Sequence, residues 1–173
     1  MMRDHVGDDE ELYRRVPEVA GQPCYQIDGG RVVFKTAAFN DAKMRPSMDR
    51  AKLRLFDPHR TRLQLEDGIV VLRTDAIRRL GPIVQYDNRK RPISEHTVDV
   101  SPDPVFFTNC AHALVKGCPA IAGNAFKRLK DGLVRLANEA GWRVEPRTEL
   151  PLRRILTLFQ EVFRCLVYRF RRN

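Results

Sequence analysis

DGIVVLRTDAIRRLG, residues 67–81, is the stretch whose reading decides the fold class. Asp67-Gly68 is a turn pair, and the apolar, β-branched run from Ile69 to Leu72 has the composition of a strand. Thr74 or Asp75 then caps a short helix that Gly81 and Pro82 stop. A second apolar strand, IVQYD (83–87), follows directly. Doubly wound parallel sheets separate successive strands with long helices, so this rhythm argues against one.

Working outward, DDEELYRRV (8–16) reads as a short helix, with carboxylates in its first turn and Arg14 and Arg15 in its last. GGRVVFKTAAF (29–39) opens on a turn and continues as a strand from Arg31 to Lys35, while residues 40–60 read as irregular with at most a helical turn. DNRKRP (87–92) has loop chemistry and HTVDV (96–100) that of a returning strand, which together predict a hairpin with a basic tip. VFFTNCAHALVKG (105–117) reads as a strand ending at Gly117, Cys118 and Pro119. From Ala120 to Ala140, Phe126, Leu129, Leu133, Leu136 and Ala140 recur at three- and four-residue intervals, an amphipathic helix that Gly141 ends. A second such helix is predicted from about Leu152 to Phe170. The expected architecture is α+β: a small mixed or antiparallel sheet with two long C-terminal helices. Residues 1–11 would be an acidic tail, 12–141 the α+β domain, and 142–173 a linker plus a basic amphipathic helix.

The 173 residues carry a net charge of +9, with 31% charged side chains. The first 30 residues are net acidic, and the positive excess gathers at 31–60 and in the arginine-rich end from Arg153 to Arg172. No apolar run approaches the roughly 18 residues of a membrane span, and the polar start is unlike a signal peptide, so a cytoplasmic setting is expected. Cys24, Cys110, Cys118 and Cys165 show no framework spacing and read as reduced thiols.

Candidate chemistry centres on NCAHALVKGC (109–118). Zinc asks for four ligands, usually as two close pairs, and Cys110, His112 and Cys118 lack the second pair, so no metal and no cofactor are expected. A Cys110–His112 nucleophile pair, or His59 and His112 transferring protons in a nuclease, are the catalytic alternatives. A half-buried strand with a polar histidine is the favoured reading of the stretch. Phosphate contacts are expected of Arg89, Lys90 and Arg91 at the hairpin tip, and of Lys127, Arg128 and Lys130 on the helix. Leu152, Ile155, Phe159, Val162, Phe163 and Leu166 form an apolar stripe suited to the domain's own sheet, a partner or a second copy; a membrane surface ranks last.

Arg14 and Ser47 resemble the early arginine and serine of the ADP-ribosyltransferases, whose paired glutamates have no counterpart here. ELYRRVP (11–17) with HALVKG (112–117) resembles a pattern of short bacterial proteins over roughly residues 11–140. That resemblance implies a compact accessory domain from a mobile or defence-associated gene cluster, with no activity attached. The leading expectation is a non-catalytic basic protein that engages nucleic acid or an acidic protein partner within a larger assembly. A small hydrolase or nuclease, or a purely structural subunit, are the alternatives.

Overall fold

Strands are the main regular element of the fold, and the computed structural model describes residues 5–17, 24–105 and 108–147. The strands are β1 (Glu11–Val16), β2 (Tyr25–Asp28), β3 (Arg31–Phe34), β4 (Ser47–Arg50), β5 (Gly68–Arg73), β6 (Ile83–Tyr86), β7 (Pro92–Pro102) and β8 (His112–Cys118). The helices are α1 (Thr74–Arg78) and α2 (Gly123–Ala140). Six strands form one antiparallel sheet in the order β5-β1-β4-β8-β7-β6, and β2 with β3 makes a separate hairpin. The class is therefore α+β. One long helix, α2, lies among the described residues; the second expected helix falls outside them.

One face of the sheet is the main core. Leu12 and Val16 of β1, Val70 and Leu72 of β5, Val98 and Val100 of β7, and Ala113 and Val115 of β8 pack with Phe126, Leu129, Leu133 and Ala137 of α2. The three- and four-residue spacing predicted for that helix is the stripe it buries. Packing continues past Gly141. The Trp142 ring meets Tyr25 and Phe34 edge-on, with centroids 5.1 and 4.5 Å apart. It also covers Gly68 so closely that a Cβ there would run into the indole. Val144 bridges Ile69, and the Arg147 N–H donates to the Leu65 carbonyl. Tyr13, Ala51 and Ile69 form a smaller cluster on the opposite face.

Three local expectations are corrected. Residues 8–16 do not form a helix, because β1 is a central strand, paired on one side with β5 and on the other with β4. Leu12, Tyr13, Arg14 and Val16 are all buried, so both faces of the segment are covered, and sheet pairing outweighs the charge bias of an isolated helix. Residues 40–60 contain β4, whose Asp49 and Arg50 disguised it as loop. The α1 helix has no side-chain cap; Thr74 instead gives its hydroxyl to the Glu10 carbonyl, tying the helix start to the segment before β1.

That segment is held by charge as well. Arg50 grips both oxygens of Glu10, at 2.7 Å from Nε and 2.9 Å from Nη2, with both side chains buried. Arg78 joins Asp8 and the Val6 carbonyl to Asp99 on β7. Burial pushes the Glu10 carboxyl up, but the hydrogen bond and charge of Arg50, helped by Lys52, outweigh it and hold the pKa below its ordinary value.

Among the described residues no helix is long and apolar enough to cross a membrane.

Because the Glu10 pKa is depressed in the fold, the stability it contributes is complete above the ordinary carboxylate range and is lost as pH falls through the folded value. Glu10→Ala, which removes the bidentate acceptor of a buried guanidinium, should cost about 3–5 kcal/mol in urea unfolding at neutral pH. Glu10→Gln should flatten the acid limb of the stability profile.

Candidate active site

The site begins with an interrupted ladder. β1 pairs with β5 along its whole length, from Glu11↔Arg73 to Val16↔Gly68, but with β4 only at Leu12↔Arg50 and Tyr13↔Asp49. β4 pairs with β8 through Ser47, Met48 and Asp49. Beyond Tyr13, β1 and β4 therefore part within the sheet, and backbone groups at the split must find other partners.

Arg14 supplies them. Its Nε donates to the Ala38 carbonyl at 2.8 Å, and Nη2 reaches the same oxygen. Its Nη1 lies 2.6 Å from Asp41 Oδ2, 2.8 Å from the Ser47 carbonyl and 3.1 Å from Ser47 Oγ. Asp41 closes the ring by accepting the Ser47 N–H at 2.8 Å. Burial lowers the Arg14 pKa and Asp41 opposes it; a guanidinium starts so high that it stays charged. The two residues singled out by resemblance, Arg14 and Ser47, are thus in direct contact.

On the other face, cross-strand register sets Tyr13, Asp49 and His112 in one row over β1, β4 and β8. Asp49 is only 5% exposed. Its carboxylate accepts Asn109 Nδ2 at 2.7 Å and Arg54 Nε at 2.7 Å. His112 Nδ1 sits 2.9 Å from the Asp103 carbonyl, so that nitrogen carries the hydrogen and Nε2 of the neutral ring holds the lone pair. No described residue hydrogen-bonds to Nε2. Burial raises the Tyr13 phenol pKa, with Glu11 adding to it, so the hydroxyl keeps its proton at neutral pH.

The split lets both faces contribute to one cleft of about 470 Å³, lined by Tyr13, Arg14, Asp41, Ser47, Asp49 and His112 with Arg15, Arg54, Arg60 and Asn109 around them. Four guanidinium groups against two carboxylates make the lining net positive. An imidazole fixed through Nδ1, a buried carboxylate across the neighbouring strand and several cations are the parts of an acid–base site that takes an anion.

Of the catalytic candidates Cys110, His112 and His59, the structure brings only His112 here. Cys110 lies exposed in the turn before β8, so it shares no strand face with His112, because the strand begins at His112 itself. His59 is exposed on the short 3-10 turn Pro58–Thr61 and does not line the cleft, although Arg60 and Thr61 do. Cys118 ends β8, and the buried His96 has both ring nitrogens bonded, to the Pro119 carbonyl and to Ser94 and Gln85. No group of three His, Cys, Asp or Glu among the described residues is placed to hold a metal. The thiol that lines the cleft is Cys24, pushed up by burial and so a poor thiolate.

The basic candidates collect elsewhere. Arg89, Lys90 and Arg91 stand at the β6–β7 turn, where Asp87 accepts the Arg89 and Arg91 N–H groups and the Arg91 guanidinium. Arg128 lies 4.7 Å over the Tyr86 ring, Lys127 is exposed, and Lys130 donates to Asn40 at 2.6 Å, at the edge of the cleft. Leu152, Ile155, Phe159, Val162, Phe163 and Leu166 lie outside the described residues. Asp41, Asp49, Arg54 and Asn109 escaped the sequence reading; only the two-residue step from Ser47 to Asp49, which a strand places on one face, was there to be seen.

No family model matches the chain, and neither a curated protein nor a solved structure does.

Cys110→Ala should change unfolding stability by less than about 0.5 kcal/mol, as an exposed substitution away from the packed body does. Arg14→Ala, which strips Asp41 and two carbonyls of their donor, should lose about 3–5 kcal/mol, and Arg14→Lys should recover only part, lacking the planar fork.

Proposed function

We propose that this protein is a small hydrolase whose cleft takes a phosphate-bearing nucleotide. The observation that carries the reading is the row Tyr13–Asp49–His112 set beside the Arg14–Ser47 junction in one net-positive cleft. His112 Nε2 accepts the proton of the attacking water as its oxygen bonds to phosphorus. Asp103, whose carbonyl takes the Nδ1 hydrogen and whose carboxylate lies 3.5 Å from that nitrogen, stabilises the imidazolium that results, with Asp49 facing it across the β4–β8 pair. The arginines of the lining take the charge on the phosphoryl oxygens. Tyr13, with its phenol protonated, stands at the far end of the row to return a proton to the leaving oxygen. The contact of Arg14 with Ser47 supports a nucleotide over a simpler anion, since this is the pair that resembles the ADP-ribosyltransferases.

This reading reverses the emphasis of the sequence, where a non-catalytic basic protein came first. A cytoplasmic setting fits it, because the exposed thiols of Cys110 and Cys118 would stay reduced there.

Incubation with NAD, ATP and a dinucleotide phosphodiester, followed by chromatography of the products, tests it. One of the three should be cleaved and should raise the melting temperature. His112→Ala should lower turnover by roughly 10²–10⁴-fold, the usual weight of a proton-transfer group, with the fold intact. Full turnover by that variant, or no cleavage and no thermal shift with any of the three, would sink the assignment.

A further inference from the structure

Several basic residues outside the cleft gather at one corner, where α2 lies along β6. β6 is an edge strand of the sheet. An open strand edge invites another strand, but here α2 closes it: Asn124 Nδ2 donates to the Tyr86 carbonyl at 2.9 Å and Arg128 Nη1 to the Val84 carbonyl at 3.2 Å. With both carbonyls taken, a peptide adding as a further strand would lack these acceptors.

What remains is a groove of about 440 Å³ between α2 and β6, walled by Arg79, Arg128, Arg135 and the half-buried Tyr86, with Asp131 as its acidic member. Arg135 makes no side-chain hydrogen bond or ion pair to a described residue, and neither do Lys127 on the same helix or Arg89 and Lys90 at the adjoining turn. Cations without partners among the described residues, Arg135 in the groove and Lys127, Arg89 and Lys90 outside its lining, together with an aromatic ring match a chain of phosphates carrying stackable bases. A run of acidic side chains alone would meet the charge but leave the ring unstacked.

We propose that this α2–β6 groove and the neighbouring β6–β7 turn bind the backbone of single-stranded nucleic acid, at a site separate from the cleft. Arg89, Lys127 and Arg135 contact phosphates, and Tyr86, whose ring already carries the Arg128 guanidinium at 4.7 Å, stacks a base together with that side chain. Arg128 belongs to the edge closure first, so its loss would confound folding with binding.

The experiment is fluorescence anisotropy of a labelled oligothymidylate across a salt series. Binding should weaken steeply with salt, with a slope of about −0.7 per phosphate neutralised. The triple variant Arg89→Glu, Lys127→Glu, Arg135→Glu should bind at least about tenfold more weakly with a shallower slope. Tyr86→Leu should weaken binding without altering the slope, because stacking releases no counterions. The triple variant should still cleave the nucleotide substrate, and His112→Ala should still bind the oligonucleotide, so the failure of either site is told from the failure of the other. Binding independent of salt, equal affinity of the triple variant, or equal competition by polyglutamate would overturn the proposal.

Discussion

β1 and β4 share a ladder only at Leu12 and Tyr13, and the buried guanidinium of Arg14 fills the opening that follows. A sheet that splits in its middle exposes backbone groups where water is scarce, and each one left unmatched destabilises the fold. Arg14 is suited to that position because its planar fork serves the Ala38 carbonyl, the Ser47 carbonyl and the Asp41 carboxylate together. The same opening makes the cleft. The arginine that keeps the sheet intact also forms part of the wall that a ligand would meet.

Charge is buried throughout these central strands rather than confined to the surface. Glu10 with Arg50, Arg14 with Asp41, and Asp49 with Arg54 all sit at or near the β1–β4 junction, each pair joined by hydrogen bonds. Desolvating so many ions costs more than packing aliphatic side chains in their place would, so stability alone does not account for them. The proposed acid–base site would need such groups, because it requires a carboxylate, an imidazole and cations held in fixed geometry before the substrate arrives. The basic corner at α2 is built on a different principle. Its cations stand on the surface, and the residues that shape it, Asn124 and Arg128, work by closing the edge of β6.

Legibility followed the local character of each signal. The strand over Ile69–Leu72, the β6–β7 hairpin, and α2 with its stop at Gly141 were readable because turn pairs and apolar spacing act within a few residues. His112 was readable as chemistry-bearing from its type alone. Its company was not: Asp49 joins it through the pairing of β4 with β8, across more than sixty positions of chain. Cys110, two residues from His112, is left outside the cleft by the turn that precedes β8.

Composition and periodicity by themselves determined an α+β chain with an antiparallel-compatible set of strands, an amphipathic helix after residue 120, and an excess of positive charge. Tertiary structure decided that LYRRV is a central strand, that SMDR is one as well, and that Arg14, Ser47, Asp49 and His112 meet. The physical reason is that a short strand rich in charged residues has no stable pattern of its own. Its conformation is chosen by neighbouring strands and by the buried counter-ions they bring, and neither is near it in sequence.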